Sequence, residues 1–365
     1  MVTSLLATGL GRGEAPDTPS RTGRKPTPDA DIKFARIVDA LTRRGFLGAA
    51  AGSAALLGLA ACGAAGTGAA SGNAGLAARQ VDSVNGPIAV PARPARVVTL
   101  DDFSMAAMFD LGMDPVGVYS AGEQYVQPQF LAKWRTIAKI SGGTIGGAVD
   151  LEKVAACKPD LILGIDAQKS PYDQLTALAP TVIMPFAASK VAWRDMTEDT
   201  ATAVGRTDAL QALRSRYASR TAEIKSRYAG VLAVSRWDVL QGGFDQGQYW
   251  LYGPASPIGT ILADAGVRFA SGSAATTAPT GQRALSYERI DALADADAVF
   301  YYTTNDGKPA NLGPQLFAQQ AFTQLSAARQ RHLFGSIHFL PGGYSDALGA
   351  LDALETALET ALKSL

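Results

Sequence analysis

TDALQALRSRYASRTAEIKSRYAG, Thr207 to Gly230, lies just past the midpoint of this chain of 365 residues. Leu210, Leu213, Tyr217, Ile224 and Tyr228 recur at helical spacing, and Thr221 fills the one gap. They form a single apolar stripe. Thr207 followed by Asp208 predicts an N-cap and an acidic first turn, and Gly230 predicts the stop. Lys225 and Arg227 stand where the helix dipole favours cations. The pattern predicts a helix over 207–228, roughly 33 Å long at 1.5 Å per residue. Taken alone it is an ordinary amphipathic helix. Its flanks give it a larger meaning.

Before it stands VDLEKVAACKPDLILG (Val149 to Gly164) and after it LSYERIDALADADAVFYY (Leu285 to Tyr302). Each places a Glu, a basic residue and a β-branched residue at the start of a short helical pattern, then an Asp and a buried-strand run. Glu152-Lys153-Val154 answers Glu288-Arg289-Ile290. Upstream, each half again carries a strand-like run, a helix ending in Gly and another strand. Alternating strands and helices predict parallel-sheet α/β layers. The expected fold is α/β: two parallel-sheet (Rossmann-like) lobes, 86–205 and 231–365, joined by one long α-helix, 206–230.

Composition narrows the function classes. A hydrophobic content of 47% is too high for a disordered chain. Zero formal net charge argues against a general nucleic-acid binder. Two cysteines and two histidines cannot form a disulfide framework and make a Cys/His metal cluster a poor reading. His332 and His338, six apart, have poor spacing for a shared metal and read as structural residues.

The first 61 residues read as an address. A polar stretch leads to TRRGFLGAAAGSAALLGLAAC, with twin arginines Arg43 and Arg44. The apolar run Phe46 to Ala61 falls short of the roughly 20 residues that a spanning helix needs and fits a signal h-region. It ends in Leu59-Ala60-Ala61-Cys62, which resembles a bacterial lipobox, where the cysteine is lipidated and the chain is cut before it. Residues 62–85, rich in Gly, Ala and Ser, read as a flexible tether.

Open α/β sheets bind ligands beyond the carboxyl ends of their strands. In the first lobe, strands Val97 to Leu100 and Val116 to Ser120 place Asp102, Phe103, Tyr119 and Tyr125 near such an edge. Asp166 and Gln168 follow a third strand. In the second lobe, WDVLQGGFDQGQYWLYGP gathers Phe244, Tyr249, Trp250 and Tyr252, and AVFYYTTND ends a strand with Thr303 and Asn305 after Tyr301 and Tyr302. Only one of those two tyrosines can point to a given face. For all these side chains, lining a cleft and packing a lobe core are both open readings. Cys157 reads as a buried thiol. Arg268 and Arg283 are the nearest cationic candidates for an anionic ligand.

VPARPARVVTL, LGMDPVGV, VDLEKVAACKPDLIL, YDQLTALAPTV, the helix from AVGRTDALQAL to RYAG, GPASPIGTILADAG and LSYERIDAL form an ordered set along almost the whole chain after Cys62. This set resembles the substrate-binding lipoproteins of iron–siderophore ABC importers, the class with two α/β lobes and a single helical linker. The resemblance implies a ferric siderophore as ligand, no resident cofactor and no catalysis. It further implies a monomer, lipid-anchored on the outer face of the bacterial plasma membrane after twin-arginine export. It makes Glu152 and Glu288 the lobe-tip glutamates that meet arginines of an ABC permease dimer. One acidic knob per lobe suits such a pseudo-symmetric partner. Haem and cobalamin are the alternative ligands. An exported α/β enzyme is the alternative from another class, but GxSxG, P-loop and GxGxxG signatures are absent, and the run Gly142 to Gly147 lacks the fingerprint spacing. An envelope scaffold lipoprotein is the third reading.

Overall fold

The computed structural model describes residues 78–119, 122–123, 126–141, 148–167, 171–189, 191–277 and 280–362. Two strands, β1 (Ala78–Val81) and β2 (Ile88–Pro91), pair antiparallel ahead of the first lobe. That lobe holds β3 (Val97–Thr99), α1 (Asp102–Asp110), β4 (Gly117–Val118), α2 (Pro128–Thr136), β5 (Ala138–Lys139), α3 (Leu151–Ala156), β6 (Leu161–Ile165), α4 (Tyr172–Thr176), β7 (Thr181–Met184) and α5 (Ala192–Val204). Its sheet runs β5-β4-β3-β6-β7, and every pairing is parallel. The linker α6 (Thr207–Arg227) is followed by the short α7 (Ala229–Val234). The second lobe has β8 (Trp237–Gly242), β9 (Gln248–Tyr252), α8 (Pro257–Asp264), α9 (Ser271–Ala274), β10 (Gln282–Ser286), a 3₁₀ segment (Tyr287–Leu293) and β11 (Ala298–Tyr302). It closes with α10 (Gly313–Phe317), α11 (Gln320–Thr323), α12 (Ser326–Arg329), β12 (Leu333–Ser336) and α13 (Tyr344–Leu362).

The two-lobed α/β reading holds, with one difference in the second sheet. Its order is β10-β9-β8-β11-β12, and β9 runs antiparallel to both neighbours. A tight turn after Gly242 returns the chain directly as β9, whereas a parallel neighbour would need a crossover of a dozen or more residues.

The linker buries the stripe that the sequence marks: Leu210, Tyr217, Thr221, Ile224 and Tyr228 are buried and Leu213 is half-buried. Its ends differ from expectation. Gly205, at φ 71°, terminates α5, so Arg206 takes the capping position and Thr207 is the first helical residue. Gly230 does not stop the helix; it lies inside α7 with open space around it. The break comes at Tyr228, whose hydroxyl lies 3.1 Å from both Glu355 and Glu359. Arg220 adds bonds to Asp352 (3.0 Å) and Glu355, pinning α13 along the linker.

One apolar core runs through both lobes and the linker. At its centre Trp193 (first lobe), Tyr217 (linker) and Tyr344 (second lobe) meet edge to face, with centroids 5.1–6.0 Å apart. Such contacts add about 0.5–1.5 kcal/mol each beyond area burial. The expected tether, 62–85, is a correction at its far end. Residues 78–81 form β1, and Val84 N–H donates to Ile183 O at 2.9 Å, so the chain joins the folded lobe before residue 86.

Candidate functional site

Two contacts show how the sheets face one another. Gly342, in the loop that follows β12, sits so close to α1 that an added Cβ would stand 3.1 Å from Ala106 Cβ and 3.7 Å from Asp102 O. Asn305, beyond the end of β11, donates through Nδ2 to Val126 O of the first lobe at 3.3 Å. The carboxyl edges of the two sheets therefore face one another, with α6 and α13 packed together to one side.

On the first-lobe edge, the turn after β3 is built by Asp101. Its Oδ1 accepts from Ser104 N–H at 2.8 Å and its Oδ2 from Ser104 Oγ–H at 2.6 Å, which caps α1. Burial pushes this carboxyl up to about 6 against those two hydrogen bonds. Asp102 opens α1 half-buried, with its carbonyl facing Gly342. Phe103 turns inward and packs on Phe186 at 5.0 Å, so it supports the edge from below. Tyr119 follows β4 and is buried, with its N–H on Thr99 O at 2.9 Å. Asp166 follows β6 at an exposed position. Tyr125 and Gln168 lie outside the described residues, as do Arg43, Arg44, Cys62 and the glycine run 142–147.

On the second-lobe edge, strand alternation sorts the aromatic residues. Tyr249 is a correction. It is wholly buried on the face covered by the 3₁₀ segment, and its hydroxyl donates to Arg289 O at 2.7 Å, so it packs the lobe and does not line the cleft. Trp250, one residue on, lies half-buried on the opposite face, against the core that the lobes share. Phe244 projects from the β8–β9 turn with 47% of its surface exposed. Tyr302 stacks on Phe339 at 5.6 Å, while Tyr301 turns to Phe317 at 4.9 Å on the other face. The two cationic candidates are also corrections. Arg268 bonds Ala233 O beyond the opposite edge of the sheet, and Arg283 reaches Gly272 O at 3.2 Å under it.

Sequence reasoning missed two residues here. Gln241 is fully buried, donates to Tyr252 Oη at 2.6 Å and accepts from Asn311 Nδ2 at 3.2 Å. It shares strand parity with Val239, and that alternation is the signal that could have found it. Phe339 lies beneath Tyr252, Phe300 and Tyr302 as the floor of an aromatic cluster. Asn305, marked in the sequence as a strand-end residue, lies in the loop after β11, and its bond to Val126 O is what the sequence does not show.

The remaining expectations place readily. Glu152 is exposed in the first turn of α3, capped by Asp150, which accepts from Lys153 N–H at 3.1 Å. Glu288 is exposed at the start of the 3₁₀ segment. Cys157 is buried, its thiol 3.5 Å from Val116 O. His332 Nδ1 lies 3.0 Å from Asp297 O, and His338 Nδ1 lies 3.3 Å from Asp346. Among the described residues no cluster of three His, Cys, Asp or Glu side chains is placed to hold a metal ion.

A family model described as periplasmic binding protein matches residues 97–336. The chain is similar to the iron(3+)-hydroxamate-binding protein YxeB of Bacillus subtilis (strain 168), 26% identical over 178 residues, 48% of this chain and 50% of that one. It is also similar to the petrobactin-binding protein YclQ of the same strain, 29% identical over 101 residues, 28% of this chain and 31% of that one. The chain thus matches half or less of the length of these curated relatives. Among solved structures, the siderophore periplasmic binding protein from the fuscachelin gene cluster of Thermobifida fusca superimposes with a TM-score of 0.64 at 26% identity, covering 74% of this chain and 98% of that one. Staphylococcus aureus SirA complexed with staphyloferrin B shares the fold, with a TM-score of 0.60 at 20% identity, covering 77% of this chain and 98% of that one. With the family model spanning residues 97–336, well over half of the sequence, this chain belongs to the periplasmic binding protein family.

Proposed function

We propose that this protein is an extracytoplasmic binding lipoprotein that captures a ferric siderophore between its lobes and delivers it to an ABC permease, without catalysing a reaction. The observation that supports this reading is the facing of the two carboxyl sheet edges, which touch through Gly342 and Asn305. The siderophore is favoured as cargo because the named ligands of similar proteins are ferric hydroxamate, petrobactin and staphyloferrin B. Asp102, Tyr119, Phe244, Trp250 and Tyr302 are the described candidates for contact with it, and Phe103 buttresses them. Cys62 is the proposed lipid attachment site after twin-arginine export, and the protein acts as a monomer. Glu152 and Glu288, exposed at matching places in the two lobes, are the proposed permease contacts.

A melting-temperature screen with ferric siderophores, haem and cobalamin tests the cargo. Ligand at 100 times its dissociation constant stabilises the protein by about 2.7 kcal/mol. Shifts with haem or cobalamin alone would replace the siderophore, and no shift with any of them would favour a scaffold. The double variant Glu152→Ala, Glu288→Ala is expected to keep its siderophore affinity and to lose uptake through the permease, since breaking one side of a buried ion pair costs about 2–5 kcal/mol. Equal loss of binding and uptake would place these glutamates at the cargo site.

A further inference from the structure

The lobes are tied directly to one another by three described hydrogen-bonded links, and these are not alike. Two stand beside the linker. Asp264 of α8 accepts from Arg194 of α5, with Tyr217 Oη–H completing the group at 2.9 Å. Asp110 of α1 accepts from Ser345 N–H at 3.0 Å and from its hydroxyl, capping α13 from the other lobe. The third link is Asn305, which crosses the cleft to Val126.

The Asn305 loop is stiff. Thr303 and Pro309 form an antiparallel bridge, and Ala310 N–H donates to Tyr302 O at 2.9 Å. Thr304 N–H donates to Lys308 O at 2.9 Å, Thr304 Oγ–H to Asp306 Oδ1 at 2.6 Å, and Lys308 pairs with Asp306 at 2.7 Å. Gly307, at φ 77°, closes the turn where a side chain would be strained. The receiving end is fixed as well. Val126 is buried beside Met105, Phe109, Val118 and Trp134, and Pro128 starts α2 two residues on. Next to Val126, Gln127 keeps a buried Oε1 without a hydrogen-bond partner.

We propose that the turn Thr303–Lys308 is a preformed strap across the cleft, with Asn305 as its fastening, and that release of the Asn305–Val126 bond gates entry and exit of the cargo. The gating half rests on the reading of the cleft as the binding site; the strap itself does not. A single neutral hydrogen bond of this kind shifts an open–closed equilibrium by roughly five-fold. A fastening already made in the empty protein slows passage in both directions. A side chain that merely touched the cargo would slow its departure alone.

Two measurements test this. Spin labels at the exposed positions Gln129→Cys and Gln315→Cys, in a Cys62→Ala, Cys157→Ala background, report the distance between the lobes without any cargo. One narrow distribution is expected with Asn305, a broader and longer one with Asn305→Ala, and recovery with Asn305→Gln. Superimposable distributions for all three would overturn the strap. In stopped-flow fluorescence with a ferric trihydroxamate, Asn305→Ala should raise the association and dissociation rates together, each by roughly three- to ten-fold. Faster dissociation at unchanged association would make Asn305 a cargo contact and overturn the gate. If the unaltered protein binds no siderophore, the cargo reading fails, while the spin-label distances still decide the strap.

Discussion

The two lobes solve the same problem with different sheets. In the first, five parallel strands present their carboxyl ends in one row, and short strands such as Gly117–Val118 suffice because helices cover both faces. In the second, the hairpin from β8 to β9 inserts an antiparallel strand. That inserted strand brings Gln248, its first residue, to the carboxyl edge, and it carries Tyr249 and Trp250 to opposite faces of the sheet. The first lobe therefore builds its edge from turns and helix starts, such as Asp101-Asp102. The second builds its edge from aromatic side chains on strands. An edge of the second kind depends on close backbone packing beneath it.

Two glycines expose that dependence most directly. A Cβ on Gly242 would lie 1.9 Å from Gly313 N, part of the backbone of α10. A Cβ on Gly164 of the first lobe would lie 3.1 Å from the tips of Ile183 and Leu100, which can yield. Gly242→Ala is expected to cost about 4 kcal/mol or more, and Gly164→Ala about 1–2 kcal/mol, read by urea denaturation. Equal costs would mean that the second lobe is no tighter than the first.

A smaller effect separates the two faces of β9. Tyr249→Phe leaves Arg289 O without its donor and should lower stability by about 1–2 kcal/mol with siderophore affinity unchanged. Trp250→Phe should spare stability and remove much of the fluorescence quenching produced by a ferric siderophore. A reversal of the two outcomes would return Tyr249 to the cleft.

The smallest effect compares one buried carboxyl in each lobe. Asp101 has both oxygens hydrogen-bonded to Ser104, whereas Asp238 gives Oδ1 to Ser273 N–H at 2.8 Å and leaves Oδ2 without a partner. Burial raises each to about 6, above the ordinary aspartate value. A raised carboxyl favours the folded state below about pH 4, and that contribution is lost as pH rises through 6. Asp238→Asn should therefore flatten the dependence of melting temperature on pH across this window and gain on the order of 1 kcal/mol at pH 8. Asp101→Asn should flatten it likewise, with a smaller gain. A pH profile unchanged by either substitution would show that these carboxyls are ionised in the folded protein.

The layout of the fold was legible because it rests on period and repetition. The stripe Leu210 to Tyr228 and the doubled Glu152 and Glu288 segments carry information in spacing alone, and burial follows spacing. The ends of the linker were less legible. Gly230 looks like a stop, but Tyr228 breaks the helix through contacts with Glu355 and Glu359, more than a hundred residues away. The site was legible at the level of strand ends and not of side chains. Density of aromatic residues drew Tyr249 into the cleft, and only the register of β9 against β8 turns it away. Arg268 and Arg283 failed for the same reason, since a cation near a strand does not declare which edge it serves. Asn305 was legible as a strand-end residue but not as a bond to Val126, because that role is set by what stands opposite.

The short ribbon of β1 and β2 has a mechanical meaning. It fastens to the first lobe, where Ser83 Oγ–H donates to Ile183 O at 3.0 Å and Arg79 donates to the carbonyls of Thr202 and Ala203 at the end of α5. A pull transmitted through Ala78 meets the first lobe first and reaches the second through the linker and the core that the lobes share.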